Sequence, residues 1–100
     1  MIVLRGDLKQ RDVTAFDLEL TKMPGNYLML RQSSSRMAAY LKAAVGAGWI
    51  AEPEAMTRQV TEGKLTRTEY LLDGVDVDDM EPREAYRAGH AVSELYDSFT

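Results

Sequence analysis

Residues 73–82 read Asp73-Gly74-Val75-Asp76-Val77-Asp78-Asp79-Met80-Glu81-Pro82, and one periodic segment continues from Arg83 to Phe99. Proline suits the first turn of a helix, where its missing N–H has no helical partner to lose. Asp78, Asp79, Glu81 and Glu84 gather at the same end, where the helix dipole favours negative charge. Beyond them Ala85, Ala88, Gly89, Val92, Leu95, Tyr96 and Phe99 recur at three- and four-residue steps and form one apolar stripe. The spacing therefore predicts a helix over about 82–98. Its stripe is small near Gly89 and bulky near Phe99, which implies a close approach to another element early and a core or partner contact late. Arg87, His90, Glu94 and Asp97 fall on the opposite face, with His90 and Glu94 one turn apart.

Working back along the chain, Glu62-Gly63-Lys64 reads as a turn between two threonine-rich alternating runs. That pattern predicts a β-hairpin over about 56–72, closed by a second turn at Asp73-Gly74. Neither face is cleanly apolar, so the hairpin is expected to project from a helical body. A second helix is expected over about 34–47, capped within Ser33-Ser34-Ser35 and stopped by Gly46 and Gly48. Its face of Met37, Tyr40, Leu41, Ala44 and Ala47 is thin enough for close packing. Trp49, the one tryptophan, follows the glycine stop. It reads as a core plug under the helix end, with an exposed binding residue as the alternative.

In the first third, Val13, Phe16, Leu20 and Met23 keep helical spacing, although Phe16 to Thr21 also alternates as a strand would. Helix over about 9–22 is favoured, with Asp7 as cap and Gln10 completing a capping box. Ile2-Val3-Leu4 suggests a short strand across 2–5, and Pro24-Gly25-Asn26 a break. Tyr27 to Leu30 is apolar at consecutive positions, as in a segment buried on more than one side or a helix opening. The whole is a single α+β domain, mainly helical, spanning residues 1–100.

The chain has 100 residues, 45% of them hydrophobic and 28% charged, which suits one globular domain with an adequate core. A net charge of −4 argues against a nucleic-acid backbone as partner. There are no cysteines, so disulfides and thiol chemistry are excluded. Arg5 and Asp7 interrupt the opening apolar residues, and no run is long enough to span a bilayer, so an intracellular protein is expected.

The aspartates invite a calcium-loop reading, but from Asp73 the ligand positions fall on Val75 and Val77, and from Asp76 the central glycine is missing. A zinc site would have to rely on carboxylates, because His90 is the only histidine. No nucleophile elbow or phosphate-cradling glycine pattern occurs. Neither metal, cofactor nor catalytic residues are expected. What remains is a surface for proteins, suited by the methionines and tyrosines, although a small core uses the same residues. The contact surface expected from sequence is Trp49 and Ile50, Tyr70 on the hairpin, and Tyr96 with Phe99 at the end of the last helix.

Residues 38–53 (Ala-Ala-Tyr-Leu-Lys-Ala-Ala-Val-Gly-Ala-Gly-Trp-Ile-Ala-Glu-Pro), residues 73–84, and a terminal helix carrying Gly89 and Tyr96 resemble small proteins encoded among the tail genes of long-tailed bacteriophages and prophages. Some of these are tail assembly chaperones or tail accessory proteins. The likeness spans about residues 36–99 and contains nothing catalytic. It implies a non-enzymatic protein that contacts tail tube or tape-measure proteins during virion morphogenesis, as a monomer or homo-oligomer, in the host cytoplasm or incorporated in the virion. The alternative is a small acidic inhibitor or regulator of a host protein acting through Asp73, Asp76, Asp78, Asp79 and Glu81.

Overall fold

A computed structural model describes residues 2–23, 33–51 and 55–99, with side chains from residue 36 in the second of these segments. The elements in order are α1 (Gln10–Thr21), α2 (Ser33–Gly46), β1 (Ala55–Glu62), β2 (Leu65–Leu72), β3 (Val75–Asp76), a 3-10 turn (Val77–Asp79) and α3 (Pro82–Asp97). This is the expected α+β, mainly helical fold, with three helices and the hairpin each within about a residue of their expected limits. β3 and the 3-10 turn are additions, formed where the sequence shows only an acidic approach. The Pro24-Gly25-Asn26 break and the Tyr27 to Leu30 run lie outside the described residues.

The terminus of α2 sets the architecture. Ala47 caps it, Gly48 takes a left-handed φ of 74°, and Trp49 N–H donates to the Ala44 carbonyl at 2.9 Å while Gly48 N–H donates to Val45 at 3.3 Å. This pair of bonds is the Schellman stop, which brings the next side chain back under the last turn of the helix. That side chain is the Trp49 indole, which has 0% exposure, stacks on Phe16 at 4.4 Å between centroids, and donates through Nε1 to the Asp12 carbonyl at 3.1 Å. Glycine is required at position 48 because a Cβ is strained at that φ.

α2 is the central element, packed against α1, α3 and the base of the hairpin. Its alanines 39, 43 and 44 are buried, so neighbours approach closely. The closest is α3, since a Cβ built on Gly89 would land on the Met37 backbone. The close approach expected at Gly89 is thus its contact with α2. α1 presents Val13, Phe16 and Leu20 to the core and leaves Leu18 exposed, a helical rather than an alternating pattern.

Two local expectations are corrected. Asp7 does not cap α1. It is held by Arg5 through two bonds of 3.0 Å, while the Arg5 Nη1 donates to the Gly48 carbonyl at 2.9 Å, and Lys9 is the cap residue, its N–H donating to Asp12 Oδ2 at 2.7 Å. Among the described residues the strand expected at 2–5 reduces to a single antiparallel bridge between Leu4 and Ile50. Arg5 N–H to Trp49 and Ala51 N–H to Val3, both 2.9 Å, complete it.

The sheet order is β1-β2-β3, antiparallel throughout. Both connections are two-residue turns matched to strand twist: Gly63 (φ 64°) leads the first, and Asp73 (φ 50°) and Gly74 (φ 79°) form the second. Only the base of the hairpin, Tyr70 to Leu72, is buried; the distal half is largely exposed on both faces, as a projecting hairpin should be.

Candidate functional site

Of the five residues expected to form a contact surface, three are buried in the core and two are half-buried against it. Trp49, Ile50 and Tyr70 have 0%, 2% and 8% exposure. Trp49 is drawn under α2 by the Schellman turn, and Ile50 is held in the bridge to Leu4. Tyr70 sits where the hairpin meets the helices, its hydroxyl donating to Glu19 Oε2 at 3.4 Å. Burial raises its pKa first, and the Glu19 charge adds to the effect. Tyr96 and Phe99 are half-buried against the same core. The Tyr96 ring lies 4.8 Å from Phe16 and its hydroxyl donates to Asp17 Oδ1, while Phe99 meets Trp49 edge-on at 6.0 Å. Trp49, Tyr96 and Phe99 are therefore converging parts of one aromatic core.

A concave surface lies elsewhere among the described residues. A groove of about 940 Å³ runs between the N-terminal arm, the Asp73-Gly74 turn and the first half of α3. It is lined by the apolar residues Ile2, Leu72, Val75, Met80, Ala88 and Ala91 and by the charged residues Asp73, Asp79, Glu81, Glu84, Arg83 and Arg87. Local sequence builds it simply. Glu84, Arg87, Ala88 and Ala91 occupy adjacent three- and four-residue steps on one flank of α3. The two-residue turn reverses the chain so that Val75 pairs with Leu72 and stands beside that flank. The short side chains at 88 and 91 leave the concavity open.

The acidic run divides between this groove and the scaffold. Asp76 accepts from Asp78 N–H at 2.8 Å and caps the 3-10 turn, and Asp78 pairs with Lys42 of α2 at 2.7 Å. Asp73, Asp79 and Glu81 remain on the groove, interleaved with the two arginines. Among the described residues no cluster of three or more His, Asp or Glu could hold a metal ion, and no helix is long and apolar enough to cross a membrane.

His90 lies on the open face of α3, as its spacing predicts. Its Nε2 is 2.9 Å from Glu94, and its ring lies parallel to that of Tyr86, 6.0 Å between centroids. It does not line the groove.

The hairpin carries its own polar order. On one face Arg58 pairs with Glu69 through Nε at 2.9 Å, and Arg67 bridges Glu62 at 3.1 Å and Glu69 at 3.3 Å. On the other, Gln59 donates to Thr68 at 3.0 Å and the Thr61 and Thr66 hydroxyls lie 3.2 Å apart. The hydrogen bond from Arg58 holds the Glu69 carboxyl below its ordinary value, and the charges of Arg58 and Arg67 add to this. A depressed folded value means the pair stabilises the hairpin above the ordinary value of 4.5 and ceases to do so as pH falls through the folded value. Arg58→Met is therefore expected to flatten the dependence of the urea midpoint on pH below 4.5. An unchanged slope would contradict the pairing.

No family model, curated protein or solved structure matches this chain.

Proposed function

We propose that the protein is a non-enzymatic protein-binding module that receives a segment of its partner in the groove between the N-terminal arm and α3. The observation that carries this is the combination there of apolar side chains with charges of both signs, the composition of a recognition surface. The resemblance of residues 36–99 to small phage tail-cluster proteins supplies the context: a tail assembly or accessory factor, with the tail tube or tape-measure protein as partner, acting in the host cytoplasm or retained in the virion. The acidic-inhibitor alternative draws less support, because Asp76 and Asp78 are committed to the scaffold.

Ala91 is exposed on the groove wall, so Ala91→Trp fills the groove without entering the core. Titration calorimetry against the tail tube and tape-measure proteins of the genome that encodes the chain tests the reading. The wild type binds one of them. Ala91→Trp weakens that binding by about tenfold or more while unfolding stability stays within about 0.5 kcal/mol. Binding equal to wild type would overturn the groove as the site, and a steep salt dependence without an Ala91→Trp effect would favour the acidic surface. Absence of tail genes beside this one would contradict the tail assignment itself.

A further inference from the structure

The outer edge of β1 offers a second, independent surface. β1 pairs with β2 through eight consecutive residues without a bulge, and residues 55–62 contain no proline. Among the described residues its other edge carries no strand. Natural edge strands are ordinarily blunted by bulges, prolines or very short length. This one has none of those three, its charges being Arg58 and Glu62, and most of the hairpin is exposed on both faces, with Leu65 at 79%. A two-stranded ribbon in water is marginal by itself and gains from further strands.

The backbone fixes how another strand can join. Glu62 and Leu65 flank a two-residue turn, the position that an antiparallel hairpin closes with a hydrogen-bonded pair. Alternation then turns the backbone groups of Glu62, Val60 and Arg58 toward β2, and those of Thr61, Gln59 and Thr57 outward. A second β1 can meet this edge antiparallel only in registers that pair outward-facing residues with each other. Centring the two-fold on Arg58 opposes two arginines. Centring it on Gln59 places Glu62 against the partner's Met56, and centring it on Thr61 places Glu62 against the partner's Val60. Centring it on Val60 sets valine against valine, with Arg58 opposite the partner's Glu62 and Glu62 opposite the partner's Arg58. Opposite charges directly across a strand pair stabilise it, and like charges do the reverse.

We infer that β1 is a homodimerisation edge, at which two copies of the chain join antiparallel about a two-fold axis at Val60. Each turn then lies beside the base of the other hairpin, so the two helical bodies sit at opposite ends of one sheet of order β2-β1-β1-β2. The row through Arg58 alternates in sign, from Glu69 to Arg58 to the partner's Glu62. Gln59 and Thr61 supply the joining backbone bonds.

The absence of native cysteine makes the register directly testable. Sedimentation velocity of the wild-type chain across a concentration series is expected to show a species of twice 11.2 kDa that dissociates on dilution. Val60→Cys then places two thiols at the axis, in the close, non-hydrogen-bonded kind of pair whose spacing suits a disulfide. Glu62→Cys places them about 14 Å apart along the strands, beyond reach of a disulfide. Copper-phenanthroline oxidation is expected to cross-link Val60→Cys at least about tenfold faster than Glu62→Cys. A chain that sediments at 11.2 kDa throughout, or a dimer in which Glu62→Cys cross-links as fast as Val60→Cys, overturns the inference.

Discussion

Trp49→Ala is expected to lower the free energy of unfolding by about 4 kcal/mol, within the range for deleting a large buried aromatic. The indole is fully buried, stacks on Phe16, meets Phe99 edge-on and donates to the Asp12 carbonyl. No short side chain fills that space, and the Schellman turn holds position 49 under α2 whichever residue occupies it. A domain of this size has only about 5–15 kcal/mol of stability in total, so the variant approaches unfolding at ambient temperature. Trp49→Phe separates the contributions. It keeps most of the stack and loses the hydrogen bond, for an expected cost of about 1–2 kcal/mol. Urea titration followed by far-ultraviolet circular dichroism measures both without relying on the indole as reporter. A Trp49→Ala midpoint equal to that of the parent would contradict the core position.

Gly89→Ala is expected to cost about 3 kcal/mol or more, against the sign of helix propensity. In an exposed helix the same change stabilises by about 1 kcal/mol. Here the added methyl meets the Met37 backbone, which is held within α2 and cannot swing aside as a side chain can. α2 and α3 must therefore move apart along the interface that also buries Ala85 and Val92. Gly46→Ala is the milder comparison, since its Cβ meets the Glu19 side chain and no backbone, and Glu19 can shift at the expense of its contacts with Tyr70 and Lys22. Its expected change is within about 1 kcal/mol. If both glycine variants have the parent midpoint under urea, the close contact of α2 and α3 is wrong.

These two residues also mark how far the sequence is readable. Small residues at 85, 88 and 89, followed by Tyr96 and Phe99, announce a helix that packs closely at one end, because a 3.6-residue period leaves few other arrangements. The hairpin is legible for a similar reason, with alternation on either side of Gly63 and a second turn at Asp73-Gly74. Trp49 beside its glycine stop allows two readings, and the position of the indole depends on the left-handed turn at Gly48, which aims it inward. Phe99 and Tyr96 look terminal in the sequence, yet the end of α3 brings Tyr96 to Phe16, some eighty positions earlier, and Phe99 to Trp49. The groove has the weakest sequence signal. Ala88 and Ala91 matter through the space they leave, and Val75 joins them only because the chain reverses at residue 73. The spacing of the acidic run excludes a calcium loop, but the commitment of Asp78 to the scaffold depends on Lys42, far earlier in the chain, while Asp76 is held by a local cap.

The proposed contact surfaces are thus the groove and the hairpin edge, while Trp49 belongs to the core. Because the chain contains one tryptophan, acrylamide quenching of its fluorescence reports on that residue alone. In the native protein the emission is expected at the short-wavelength, apolar end of the indole range, with slow quenching that does not change when a partner or a second copy binds. Long-wavelength emission with rapid quenching, or quenching that partner binding suppresses, would place Trp49 at the surface and contradict the assignment.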